Sequence, residues 1–221
     1  MHIYEKDGKQ FPSVTTIIHS LGNDEIIKWA NSLGFRHLKY EQELDKYAQN
    51  GTLIHDLLRG EVDPNYTPQV EYKDAMHRVE ILGYLTRFRN MIQNYEYETI
   101  FTEKTFVSSN LGYGGTIDWF AIFFNKIHML NDFKTSKAVR YSHLLQLGGY
   151  HNLLKENGIT VDGASIILCN KKVSSLYPIG VKDLEWYGKA FQVLADYYNM
   201  TWQAEMKPDM ELLNTLKSTK S

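Results

Sequence analysis

Asp118, Asp132 and Lys134 are the residues whose types and spacing could do chemistry. Asp132 and Lys134 lie two apart in Leu130-Asn131-Asp132-Phe133-Lys134-Thr135-Ser136, and in a strand that spacing puts both side chains on one face. Asp118 stands in the preceding strand, Gly114-Gly115-Thr116-Ile117-Asp118-Trp119-Phe120. A tight reversal at Asn125-Lys126 folds that strand back until the two carboxylates are nearly opposite. Carboxylates paired in this way hold a hard divalent cation through oxygen. A lysine beside them would face the attacked phosphate, orient water and offset the charge that grows during phosphodiester hydrolysis. The plainer alternative is a surface ion pair, since Asp-x-Lys is common in strands. Asp118 argues against it: its strand is otherwise apolar (Ile117, Trp119, Phe120, Ala121, Ile122, Phe123). Burying even a neutral polar group without a partner costs about 2–7 kcal/mol, so this carboxylate needs one, and a cation would serve.

These residues require a sheet, and the texture of the chain changes near Tyr97 to supply one. Strands are expected at Thr99–Val107, Thr116–Phe124 and Ile127–Lys134, with a turn at Leu111-Gly112-Tyr113-Gly114-Gly115. Two more are expected at Ala164–Cys169 and Leu176–Val181, with a helix over Ser142–Glu156 stopped by Asn157-Gly158. The first half reads as mainly helical. One helix is capped at Asn23-Asp24 and carries Ile26, Ile27 and Ala30; another runs from Glu41 to Arg59 with Gly60 as its stop. A third covers Val70 to Tyr95, with Ala75, Val79, Leu82, Leu85 and Phe88 at helical spacing. Helices over Leu184–Ala204 and Met210–Leu216 close the chain. The expectation is one α/β domain over 1–221, with a helical part at 1–96, a catalytic sheet and helix at 97–181, and C-terminal helices at 182–221.

Composition narrows the function classes. With 43% hydrophobic residues and 15 Tyr, the 221 residues can build a real core, so a disordered chain is excluded. The apolar runs are too short to span a bilayer and the N-terminus lacks a secretory signal, so the expectation is an intracellular, cytoplasmic protein without membrane association. Cys169 is the single cysteine, which rules out an internal disulfide and any four-thiolate zinc or iron–sulfur site. Net charge is −2, whereas proteins that coat nucleic acid are basic. Any contact with DNA or RNA should therefore be local, which suits an enzyme better than a binding module.

Taken in order, several pieces resemble the PD-(D/E)XK nuclease superfamily, and more closely its RecB-type exonuclease branch. They are Pro12-Ser13-Val14-Thr15-Thr16-Ile17-Ile18, Gly51-Thr52-Leu53-Ile54-His55, Glu103, the Gly114–Asp118 strand, Asp132-Phe133-Lys134-Thr135-Ser136, and Gln146 with Tyr150. The resemblance runs from about residue 11 to 155. It implies a restriction-endonuclease-like core: a central mixed sheet with an antiparallel meander, flanked by helices. It also implies a Mg²⁺- or Mn²⁺-dependent deoxyribonuclease, an exonuclease on DNA ends or single strands in replication, recombination or repair, working alone or beside replication or recombination proteins. Asp118 and Asp132 then correspond to the metal-binding carboxylates, Lys134 to the catalytic lysine and His55 to a further metal ligand. Glu103 corresponds to an acid of the first strand, a water-mediated ligand or a solvated carboxylate. Gln146 would touch substrate or water, with Tyr150 sharing its helix face. Ser13, Thr15 and Thr16 would contact DNA phosphate, or equally cap the first helix. The second reading is a non-catalytic nucleic-acid or protein-interaction module on a decayed nuclease fold; the third is a hydrolase of another phosphodiester.

Overall fold

The computed structural model describes residues 2–22, 30–33 and 35–203. Five strands form a mixed sheet in the order β3-β4-β5-β6-β7: β3 Tyr97–Ser108, β4 Tyr113–Phe123, β5 Ile127–Lys134, β6 Gly163–Cys169 and β7 Ser174–Gly180. The expected meander is there, because β3, β4 and β5 pair antiparallel. β5 and β6 then pair parallel, the helix α4 (Tyr141–Glu156) carrying the chain between them, and β7 returns antiparallel. The three-residue reversal after β4, 124–126, places Phe124 and Asn125 at φ 52° and 53°, both in the left-handed region, and the Lys126 N–H donates to the Phe123 carbonyl at 3.0 Å.

A second, two-stranded sheet was not expected in a helical N-terminal half. β1 (Ile3–Lys6) and β2 (Lys9–Pro12) form a hairpin. Its turn is Asp7-Gly8, with φ 53° and 71°, and Asp-Gly is the sequence signal that marks such a turn. Tyr4 of this hairpin lies so close to Gly114 that a Cβ there would stand 2.6 Å from its ring, and its hydroxyl meets that of Thr116 at 3.0 Å. That approach explains why Tyr113, Gly114 and Gly115 belong to β4 and not to the expected turn: the glycines make room for aromatic rings across the strand.

Helices cover both faces. On one face α1 (Val14–His19), α4 and α5 (Val181–Gln203) bury Ile17, Leu147 and Phe191 against Ile117, Leu130 and Ile166. On the other, α2 (Tyr40–Val62) and α3 (Ala75–Ile92) bury Leu58, Ile81 and Phe88 against Trp119, Phe133 and Ile167. Three helix boundaries differ from expectation. Gly60 does not stop α2, which runs on to Val62; a Cβ at residue 60 would meet the Pro68 ring at 2.3 Å, so this glycine admits the returning loop. The third helix begins only at Ala75, capped by the Asp74 carboxylate, and Val79 is 73% exposed because the buried stripe is Ile81, Tyr84, Leu85, Phe88 and Ile92. The last described helix starts at Val181, before Leu184. The cap at Asn23-Asp24 and the helix over Met210–Leu216 lie outside the described residues. Among the described residues no helix is long and apolar enough to cross a membrane.

Candidate active site

The site forms where the sheet splits. β4 and β5 are paired from Phe123↔Ile127 to Trp119↔Asn131, and beyond that rung they part. Asp118 and Asp132 are the first residues past the last rung, nearly opposite one another as the hairpin register requires. The Asp118 carboxylate fills the gap: its Oδ2 accepts the backbone N–H of Phe133 at 2.8 Å, a donor that the neighbouring strand has abandoned. Leu130 packs into the α4 side of the sheet and Phe133 into the opposite side, so alternation puts Asp132 and Lys134 on the α4 side.

Asp132 is completely buried, and neither carboxylate oxygen accepts a hydrogen bond. The Lys134 Nζ stands 2.5 Å from its Oδ2, an ion pair that leaves Oδ1 with no partner. One lysine does not replace the solvation that a buried carboxylate loses. Burial accordingly pushes Asp132 up to about 6, against the opposing pull of Lys134. Asp118 is raised by burial too, with Lys134 and the Phe133 N–H holding it down. Two crowded carboxylates that both resist ionisation, one without hydrogen bonds, fit a place for positive charge.

His55 comes from α2, and its Nδ1 is 3.6 Å from Asp118 Oδ2, beyond hydrogen-bond reach. Burial first, and Lys134 second, bring its pKa down to about 4. The imidazole is therefore neutral at pH 7 and this contact is not an ion pair; a neutral ring is also the form that binds metals. Glu103 lies opposite Asp118 in the β3–β4 register, between Thr102↔Trp119 and Lys104↔Ile117. Its φ of 48° is left-handed, a strain of about 1–3 kcal/mol in a non-glycine residue. Its side chain keeps an exposed face, so the protein atoms crowding it, rather than full enclosure, begin to raise its pKa. Asp118 adds to that effect, Arg59 opposes it, and the result is about 7.

Gly51, Thr52, His55, Asp56, Arg59, Glu103 and Asp118 line a cleft of about 460 Å³. A larger groove of about 980 Å³ adjoins it, shares Thr52 and Asp56, and runs between α2 and the segment from Gln69 to His77. Asp56 and Arg59 escaped the sequence reading. Arg59 is one helical turn beyond His55, as His55 is one turn beyond Gly51, and that four-residue spacing was the available signal.

Asp132, fully buried, and Lys134 lie behind this lining rather than in it, and the remaining expected site residues do not line the cleft either. Gln146 Nε2 donates to the Tyr150 hydroxyl at 2.9 Å, and both side chains are buried under the sheet. The Tyr150 ring lies against Gly115, where a Cβ would come within 2.5 Å. Burial and then the Asp132 and Asp118 charges raise the tyrosine well above its ordinary value, so it is a neutral neighbour of the acid pair. Ser13 caps α1, accepting the Thr16 N–H at 2.9 Å, and also meets Thr15 Oγ1 at 2.9 Å. The Thr16 hydroxyl donates to the His2 carbonyl at 3.1 Å. Capping is the role of Ser13, while the hydroxyls of Thr15 and Thr16 are engaged by Ser13 and by the His2 carbonyl. Among the described residues no three His, Cys, Asp or Glu side chains stand ready as a metal cage. The set formed by His55, Glu103, Asp118 and Asp132 is thus gathered around one region without being closed into a cage.

The chain matches no family model and no curated protein. Among solved structures it is similar to that of SSO0001, over 92% of this chain and 80% of that one, with 16% sequence identity and a TM-score of 0.42. A likeness that slight carries neither family nor activity.

Proposed function

We propose that this chain is a divalent-metal-dependent deoxyribonuclease with a restriction-endonuclease-like core, acting on DNA ends or single strands. The observation that carries the reading is Asp132: a fully buried carboxylate with no hydrogen bond, beside a second carboxylate and a lysine, at a split in the sheet. Asp118 and Asp132 would hold Mg²⁺ or Mn²⁺, with neutral His55 as a further ligand and Glu103 reaching it through water. When bound, the cation would polarise the phosphoryl oxygen and acidify water. Lys134 donates from beside the acids, where it can hold the attacking water and offset the charge of the transition state. Tyr150 and Gln146 keep the floor beneath the acids dry, which strengthens those interactions. The meander followed by a parallel β5/β6 pair supports the same core.

The test is incubation of end-labelled linear DNA, single- and double-stranded, and of a closed circle, with Mg²⁺ or Mn²⁺, using wild type and Lys134→Met. Wild type should shorten linear strands and leave the circle intact, while Lys134→Met should be slower by about 10²–10³-fold. A wild type inert on every substrate, or a fully active Lys134→Met, defeats the reading.

Proton release sets a second expectation. Asp132 near 6 and Glu103 near 7 must be ionised to attract a cation, so affinity should rise with pH. Titration calorimetry with Mn²⁺ should give weaker binding at pH 5.5 than at pH 8, by roughly tenfold or more. Glu103→Gln should flatten the upper part of that dependence. A pH-independent affinity contradicts the assignment of these acids.

A further inference from the structure

Arg59 faces the same cleft, yet nothing in the reaction above uses it. Two contacts fix its guanidinium, each backed by a further hydrogen bond. Its Nε donates to Thr102 Oγ1 on β3 at 2.9 Å, and that hydroxyl donates in turn to Asp63 Oδ2 at 2.6 Å. Its Cζ sits 3.7 Å above the centre of the Tyr66 ring. Tyr66 is itself held, because its hydroxyl donates to Asp56, whose other oxygen accepts the Gln69 N–H at 3.0 Å. The loop carrying Tyr66 lies against α2 where Gly60 admits Pro68. These contacts use Nε and one face of the guanidinium, and the residue lines the cleft together with His55, Glu103 and Asp118. Among the described residues no carboxylate forms an ion pair with it, although Glu103 is near enough for its pKa to feel the charge. A half-buried, immobilised fork of donors with no anion on it is suited to bidentate capture of a phosphate.

We propose that Arg59 binds a backbone phosphate of a DNA strand lying in the cleft, holding the chain by charge and geometry while the acid pair meets the scissile bond. This rests on the nuclease reading and adds the residue that grips the strand. It also bears on the net charge of −2: one well-oriented arginine gives local attraction without a basic surface.

The experiment uses the Asp132→Asn background, which cannot cut, and follows a fluorescein-labelled single-stranded oligodeoxynucleotide by anisotropy from 50 to 300 mM salt, a range of the order used to read phosphate contacts. Adding Arg59→Gln should weaken binding roughly ten- to hundredfold and lower the slope of log K against log salt by about 0.7, the change for one phosphate contact on a single strand. Arg59→Lys should keep the slope and lose part of the affinity, since it retains charge without the fork. Thr102→Val, which frees the guanidinium from β3, should raise KM for cleavage in the otherwise wild-type enzyme with little change in kcat. Inorganic phosphate should compete only at far higher concentration than the oligonucleotide. If Arg59 only clamps α2 to β3, Arg59→Gln will lower Tm yet leave affinity and salt slope unchanged, and the inference is overturned while the nuclease reading stands. A wild type that neither binds nor cuts any oligonucleotide overturns both. Should Arg59→Gln not fold, Arg59→Lys decides alone: undiminished affinity overturns the inference.

Discussion

Replacing Asp132 with Asn should abolish phosphodiester cleavage and, at pH 8, make the protein more stable. The activity loss should be at least about a thousandfold, because under the proposed function the carboxylate would hold the cation and it is the partner of Lys134. The stability gain follows from the direction of its pKa. Asp132 is raised to about 6 in the fold, above the ordinary carboxylate value of about 3.9. The folded protein therefore holds this proton more tightly than the unfolded chain does, and stability falls as pH rises from about 4 through 6. Above that window the protein carries the penalty of an ionised, unsolvated carboxylate, whereas the amide of Asn does not ionise. At 1.36 kcal/mol per pKa unit the relief is on the order of 1–3 kcal/mol, less whatever Lys134 loses with its counter-charge. For a chain of this size that amounts to a Tm increase of roughly 2–8 °C at pH 8, shrinking to nothing near pH 4. Thermal melts of both proteins across that pH range check it. A variant less stable than wild type at pH 8 would mean that Lys134 satisfies the carboxylate after all.

Gly148→Ala should have a large structural effect for so small a substitution. Gly148 lies where α4 crosses α5, and an added Cβ would stand 2.4 Å from the Tyr187 carbonyl carbon, 2.5 Å from its oxygen and 2.6 Å from the Gly188 nitrogen. All three are backbone atoms, so no rotamer change relieves the clash and the helices must separate. In an exposed helix the same exchange would gain about 0.5–1 kcal/mol from reduced backbone entropy. Overpacking at a rigid contact costs about 1–3 kcal/mol or more, so the clash wins and Tm should fall by several degrees. Gly51→Ala is the control, since its nearest neighbour is Thr135 Oγ1 at 3.8 Å and the position is inside α2; it should be neutral or slightly stabilising. Equal Tm values for the two variants would mean that the α4–α5 crossing is softer than its backbone contacts indicate.

The contrast between these glycines shows which parts of the molecule were legible in the sequence. Local chemistry was. The reversal at Asn125 set Asp118 against Asp132 because hairpin register follows from turn length, and alternation placed Lys134 beside Asp132. The same rules would have yielded the β1–β2 hairpin from Asp7-Gly8, had helical density in the first half not outweighed it. What failed was whatever depends on a distant partner. Gly60 looks like a helix stop unless Pro68 is known to press on it, and Gly114 and Gly115 look like a turn unless Tyr4 and Tyr150 are known to lie across them. Val79 fits the helical spacing but falls outside the stripe that the sheet covers. In the site, identities read well along a strand and poorly across elements. Arg59 gains its meaning only from Thr102 and Tyr66, which lie on a different strand and a returning loop.

The split in the sheet also turns one amide into a built-in gauge. The Phe133 N–H is held by the Asp118 carboxylate and not by a neighbouring peptide carbonyl, so its bond strengthens or weakens with whatever changes that side chain: a proton, a cation, or a rotation of the carboxylate. Its nitrogen chemical shift and its hydrogen-exchange rate would register such an event directly. Amides in the paired part of β5, tied to β4 through peptide groups from Ile127 to Asn131, would stay still and serve as an internal reference. A single resonance could thus follow the state of the acid pair without a probe attached to it.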